Sequence, residues 1–287
     1  MAGPRSDWHS GAMRGWWREF SGLVLPTACG GCGRPCTALC EGCRAALLGA
    51  PACRVRPAPE PAGLPAVYAA APYEDAVRAV LLGHKERGAL GMAAALGQAL
   101  AGAARAAAGP CGQGPLLLVP VPSSRRAVRA RGHDATRRIA LAAAGELRRT
   151  GTDARVAAVL RQRRTVADQA GLSAPQRLAN LSGALVVAGG GARLLEGGRV
   201  VLVDDLMTTG ASLVDAARAV RAAGVGEPGN GPLRGDRYPG QGNAGFTRSA
   251  ASHQWPGGGA AVRNAGVPHP VAAVVAATPE TFAINRN

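Results

Sequence analysis

The segment Val200-Val201-Leu202-Val203-Asp204-Asp205-Leu206-Met207-Thr208-Thr209-Gly210-Ala211-Ser212 carries the most specific chemistry in the chain. Four aliphatic residues predict a strand that stops at Asp204-Asp205, and the short loop Thr208-Thr209-Gly210 leads straight into a helix. A helix N-terminus offers unpaired N–H groups and a partial positive charge, and a glycine lets the backbone wrap a phosphate closely. The hydroxyls of Thr208, Thr209 and Ser212 add donors. Two carboxylates just upstream do not favour a phosphate, but they suit the vicinal hydroxyls of a sugar. Ribose 5-phosphate presents both groups in that order. A Walker B-like strand end or a plain capping turn is the competing reading. A nucleotide triphosphatase would also need Gly-x-x-x-x-Gly-Lys, and the chain's only lysine, Lys85, follows Gly83-His84.

Cys29-x-x-Cys32 and Cys40-x-x-Cys43 form two knuckles that can close a tetrahedral thiolate site for Zn²⁺. The separation between the knuckles is short compared with the usual zinc-ribbon spacing. No open coordination position is indicated, so the metal is expected to be structural. Cys36 is a redundant thiol, while Cys53 and Cys111 are expected to pack or stay free. So small a module could also present a surface to nucleic acid or protein.

A third group is basic: Ser123-Ser124-Arg125-Arg126, followed by Arg129, Arg131 and His133. Guanidinium forks at that place suit a diphosphate, with a solvated basic helix face as the plain alternative. Lys85, alone among so many arginines, hints at a point-charge role in binding, with a chance survivor of the coding bias as the plain alternative.

These groups need elements to hold them. Ala76, Val77, Val80 and Leu81 have helical spacing, and an Ala-rich helix is expected to run on to about residue 108. A buried strand at 116–119 ends at Pro120-Val121-Pro122. The spacing of Ile139, Leu141 and Leu147 predicts a helix over 133–149, and 156–160 reads as a strand. The polar stretch 161–180 has neither period and reads as a long active-site flap. A strand at 200–203, a helix at 211–223 and a strand at 271–277 complete the pattern. Strands alternating with helices imply an α/β protein with a parallel sheet flanked by helices.

The expected division is an N-terminal segment with the cysteine module over 1–49, a Pro-rich linker over 50–65, and the main domain over 66–225 and 271–287. Residues 226–270 are rich in Gly, Pro, Arg, Asn and Ser and are expected to be a disordered insertion. It joins a helix to a strand, at the edge of the sheet away from the strand C-termini where ligands bind.

The net charge of +15 points to a polyanionic partner. That inference is discounted by a coding bias towards Arg, Ala and Gly. No run of ~20 uncharged apolar residues is present to span a bilayer. A cytoplasmic protein with reduced thiols is expected, in which cysteines serve metal binding rather than disulfides.

The 200–212 segment resembles the phosphoribosyl-diphosphate signature of type I phosphoribosyltransferases, and the chain resembles the ComF/GntX family, which pairs a four-cysteine zinc module with such a domain. The likeness runs over 26–224 and resumes at 271. It includes the segments Tyr73 to Gly88, Pro120 to His133, and Gln169-Ala170-Gly171-Leu172-Ser173 to Arg177 and Asn180.

The resemblance implies a type I phosphoribosyltransferase fold and phosphoribosyl diphosphate as ligand. Catalysis would centre on Asp204 and Asp205. Binding would fall to Thr208, Thr209, Gly210, Ala211, Ser212, Lys85, Ser123, Arg125, Arg126 and Arg131, with Gln169, Arg177 and Asn180 on the flap. It implies Mg²⁺ carried largely by diphosphate and ribose oxygens. Some relatives carry an acid where this chain has Thr208, so any general base must come from the acceptor or elsewhere. A non-catalytic accessory role in DNA uptake or processing is the alternative, with single-stranded DNA or DNA-processing proteins as partners. Aromatic residues that could stack on bases are few. Phe282, after the last strand, either stacks on an acceptor or packs.

Overall fold

The computed structural model describes residues 28–35, 37–86, 90–110, 112–164, 171, 173–225 and 270–285. A six-stranded sheet organises them, in the order β1 (Cys53–Val55), β2 (Val67–Pro72), β8 (Val271–Ala277), β7 (Arg199–Met207), β3 (Leu116–Pro120) and β4 (Ala154–Val156). Only β1 runs antiparallel; every other pairing is parallel, with Leu118 opposite Val201 and Val203 opposite Ala273. Parallel strands are covered on both faces, which is why β3, β7 and β8 read as unbroken apolar runs rather than alternating ones.

Helices α2 (Asp75–Glu86), α3 (Ala93–Ala108) and α5 (Ala135–Arg149) cover one face, burying Leu81, Leu96, Leu100, Ile139 and Leu147 against Val201, Val203 and Val275. The other face buries Leu117, Val119, Leu202 and Val274 against Leu213, Ala216 and Val220 of α8 (Ala211–Val225). Small residues set the closeness of α3 and α5: a Cβ on Gly97 would lie 2.5 Å from the Cβ of Ala142. Leu141 faces solvent, and the buried stripe of α5 is Ile139, Ala140, Ala143, Ala144 and Leu147.

The expected α/β architecture with a mostly parallel sheet is present, but three elements differ. The strand expected at 156–160 is two strands. β4 pairs with β3, and after a tight turn in which Val159 N–H donates to Ala157 C=O, β5 (Leu160–Gln162) pairs antiparallel with β6 (Leu185–Val187) in a separate small sheet. The stretch read as a structureless flap, 161–180, begins in β5 and contains α6 (Ala174–Leu181). Ser173 and Gln176 start that helix with a reciprocal capping box, a signal the missing apolar period concealed. The strand expected to stop before the acidic pair continues to Met207, so Asp204 and Asp205 lie within β7.

The cysteine segment ends in α1 (Glu41–Leu48), whose Leu47 is buried in the main core beside α2 and α3. Arg44 Nη1 donates to Gln98 Oε1 at 3.1 Å. Within 50–65, β1 extends the sheet and Pro57, Pro59 and Pro61 line a cleft. The reading of 226–269 as a disordered insertion lies outside the described residues. No helix among the described residues is long and apolar enough to cross a membrane.

Candidate functional site

The C-terminal ends of β2, β3, β7 and β8 share one edge of the sheet, and the loops after them build the site. β7 delivers Asp204 and Asp205. Strand alternation directs Asp205 to the face of Val201 and Val203, where α2 lies. There Lys85 Nζ stands 2.7 Å from Asp205 Oδ2, with the Asp205 side chain only 7% exposed. Burial alone would lower the Lys85 pKa, but the charge of Asp205, its hydrogen bond and the charge of Asp204 outweigh this and raise it. Asp204 is half-buried, and its Oδ1 accepts from Asp205 N–H at 2.8 Å. Its carboxyl is held well above the usual range, first by burial and then by the neighbouring Asp205 charge, with Lys85 pulling the other way.

Beyond Met207 the chain turns through Thr208, Thr209 and Gly210 into α8. Gly210 has φ +76°, a conformation that favours glycine, and a Cβ there would lie 2.7 Å from Leu64 Cδ1. Its C=O accepts the bond from Val214 N–H at 2.9 Å, and Thr278 N–H donates to Met207 C=O at 3.2 Å, tying the loop to the end of β8. Thr208 is exposed, Thr209 and Ser212 are half-buried, and Ala211 is buried. The loop therefore presents hydroxyls and helix-end amides beside the acidic pair.

The segment after β3 is fixed by the backbone. Val121 N–H donates to Val203 C=O, and the short α4 (Arg125–Arg131) is capped by Ser124 at its start and by Gly132, φ +74°, at its end. Ser123 Oγ donates to Asp134 Oδ1 at 3.4 Å. Arg131 pairs with Glu86 at 2.9 Å, whereas Arg125, Arg126 and Arg129 are exposed. Of the residues expected on a flap, Arg177 is half-buried on α6 and Asn180 accepts from Arg164 Nη2 through its backbone carbonyl at 2.7 Å. Gln169 lies outside the described residues.

A mainly apolar cleft of about 360 Å³ opens beside the Thr208–Gly210 loop. Its walls come from Pro57, Pro59, Leu178, Thr209, Thr278 and Glu280. Phe282 packs against the core on the face of the sheet that α8 covers.

Sequence reasoning missed the residue that holds the β5–β6 pair against α8. Asp215 is 2% exposed on α8. Its carboxylate accepts from Gly183 N–H at 2.9 Å, Leu185 N–H at 2.7 Å and Arg218 Nε at 2.7 Å. Arg218 Nη2 in turn donates to Leu185 C=O at 2.6 Å. The open edge of the β5–β6 pair is thus satisfied by two side chains instead of a third strand. The signal was an acid inside the apolar stripe of Leu213, Ala216, Ala217 and Val220, because a buried carboxylate requires partners.

The four cysteines do come together: the Sγ atoms of Cys29, Cys32, Cys40 and Cys43 all lie within 4.8 Å of one another. Tetrahedral zinc with Zn–S bonds of about 2.3 Å needs sulfurs about 3.8 Å apart, and Cys32 and Cys40 are at 3.6 Å. Burial would raise the Cys29 pKa, but hydrogen bonds from the backbone at Cys40, Cys32 and Gly31 outweigh it and lower it to about 6. Burial first, then the neighbouring thiols, pushes the Cys43 thiol up. Cys36 and Cys111 lie outside the described residues, and Cys53 is half-buried in β1.

The fold and site thus define an α/β protein with a mostly parallel sheet and a four-cysteine cluster able to hold a metal such as zinc. No protein-family model matches the chain, and no curated protein matches it.

Proposed function

We propose that the chain binds phosphoribosyl diphosphate at the C-terminal edge of its sheet, in the manner of a type I phosphoribosyltransferase of the ComF/GntX kind, and transfers the phosphoribosyl group to a separate acceptor. The observation that carries this reading is the continuous run from the acidic pair of β7, through Thr208-Thr209-Gly210, into the N-terminus of α8. In this arrangement the helix amides and threonine hydroxyls take the 5-phosphate, and the carboxylates take the ribose hydroxyls. Arg125 and Arg126 reach the diphosphate as free forks. Arg131, paired with Glu86, anchors their helix.

With Asp205 ion-paired to Lys85, the acidic pair has little charge left for Mg²⁺ of its own, and the metal would be carried largely by diphosphate and ribose oxygens. When bound, it neutralises the leaving group. Catalysis by the protein then rests on positioning and charge complementarity. Thr208 supplies no carboxylate, so the acceptor must bring its own nucleophilic nitrogen or be deprotonated elsewhere. The cysteine cluster would hold Zn²⁺ as a structural metal.

Calorimetric titration with ribose 5-phosphate and with Mg²⁺–phosphoribosyl diphosphate tests binding, and labelled phosphoribosyl diphosphate with a panel of nitrogenous bases tests transfer. Saturable binding is expected; no heat with either ligand overturns the reading.

The exposed Arg125, Arg126 and Arg129 also favour a second reading, an accessory protein in DNA uptake that binds single-stranded DNA without turnover. Phosphate contacts by these arginines would weaken steeply as salt rises. DNA binding that is absent or insensitive to salt sinks it.

A further inference from the structure

We propose that Lys85 is the resident counter-cation of the acidic pair, so that sugar hydroxyls are bound at Asp204-Asp205 without a divalent ion of that subsite's own. The ribose part of this inference rests on the function proposed above; the counter-cation part rests on geometry alone.

The ammonium of Lys85 stands 2.7 Å from Asp205 Oδ2, so a cation is already in place on that carboxylate. Lys85 keeps 33% of its side chain exposed against 7% for Asp205. It opens into a small cleft of about 170 Å³, lined also by Tyr73, Leu81, Leu82, Glu86 and Leu206. Its base is clamped on both sides. His84, fully buried, reaches Ala135 C=O with Nε2 at 3.4 Å, and Glu86 pairs with Arg131 at 2.9 Å.

Three consecutive residues at the end of α2 therefore contact three separate elements at the site edge: the start of α5, the end of β7 and the end of α4. The middle one holds a point charge on a buried carboxylate. A compact ammonium fits beside one carboxylate oxygen in a way the broad guanidinium fork does not. In a chain that otherwise uses arginine for every basic residue, this position carries the lone lysine. Lys85 thus acts through Asp205 as a positioning residue, and its charge replaces one that a metal would otherwise supply.

The test uses the full-length protein and the variants Lys85→Met and Lys85→Arg, with folding checked by circular dichroism and melting. Ribose 5-phosphate is titrated calorimetrically in EDTA and in Mg²⁺. Wild type is expected to bind equally in both. Lys85→Met is expected to bind about ten- to a hundredfold more weakly in EDTA, the loss of a hydrogen bond between charged partners, and to recover in Mg²⁺. Lys85→Arg keeps the charge and is expected to show no gain from Mg²⁺.

Separately, Mn²⁺ titration of the ligand-free proteins by electron paramagnetic resonance reads the site directly, since Mn²⁺ prefers oxygen donors to thiolates. One ion is expected on Lys85→Met and none on wild type. Metal-dependent binding by wild type, undiminished EDTA binding by Lys85→Met, or a loss that Mg²⁺ does not restore overturns the proposal. If wild type binds no ribose 5-phosphate in either buffer, the ribose reading fails. The Mn²⁺ result still decides the counter-cation claim.

Discussion

Replacing Asp215 with alanine removes the acceptor for Gly183 N–H and Leu185 N–H, one partly and one fully buried, and releases Arg218. Arg218 is 42% exposed, so its ion pair adds little by itself. The two amides set the cost. Each buried N–H left without a partner costs about 1–3 kcal/mol, and breaking a buried charged network from one side costs about 3–5 kcal/mol. A loss of ~3–5 kcal/mol follows, which for a domain of this size lowers Tm by roughly 6–20 °C if unfolding is global. The β5–β6 pair is small and sits outside the main sheet, so local opening can absorb part of the loss. Native-state hydrogen exchange at the Leu185 amide reads the loss by either route, because protection falls in both, and Tm reports the global part alone. Asp215→Asn keeps one acceptor oxygen and is expected to lie between alanine and wild type. Unchanged Leu185 protection in Asp215→Ala, with Tm within about 2 °C of wild type, would refute the argument that this carboxylate holds the β5–β6 pair to α8.

Other outcomes follow from the same geometry. Gly210→Val places a branched side chain at φ +76° against Leu64; ribose 5-phosphate binding should fall at least about fivefold, since the left-handed strain alone is about 1–2 kcal/mol, and calorimetry checks it. Asp204→Asn should stabilise. A carboxyl whose folded pKa is raised contributes stability present below its unfolded pKa and lost as pH rises through the folded one. The variant's Tm should therefore match wild type in acid and exceed it at neutral pH, while ribose binding is lost; a lower Tm at neutral pH contradicts this. Zinc affinity, measured by chelator competition, should rise with pH from about 6 upward, because Cys29 loses its proton around there while Cys43, whose thiol is pushed up, must still lose one above it; a flat profile contradicts it. Gly97→Leu should unfold the protein or lower Tm sharply, since its side chain would run into Ala142 and Ala143 of α5.

Much of the framework was legible because buried parallel strands announce themselves as continuous aliphatic runs: 116–119, 200–203 and 271–277 all lie in strands. The cysteine cluster was legible because metal-ligand spacing is local in sequence. Less was legible where tertiary contacts overrode pattern. Strands β5 and β6 have three residues each, too few to show a period, and are completed by Asp215 and Arg218 from a distant helix. α6 was hidden in a polar stretch because one face lines a cleft, and only its capping box marks the start. The role of Lys85 was foreshadowed by its rarity. Its partner, a carboxylate over a hundred positions away, is fixed by the way α2 lies over the end of β7.

The most direct test of the central claim is the location of the 5-phosphate in a crystal of the protein soaked with phosphoribosyl diphosphate and Mg²⁺. Phosphate density is expected on the backbone amides and hydroxyls of residues 208–212, with the ribose hydroxyls at Asp204 and Asp205. Phosphate density elsewhere, or none at saturating ligand, would contradict it.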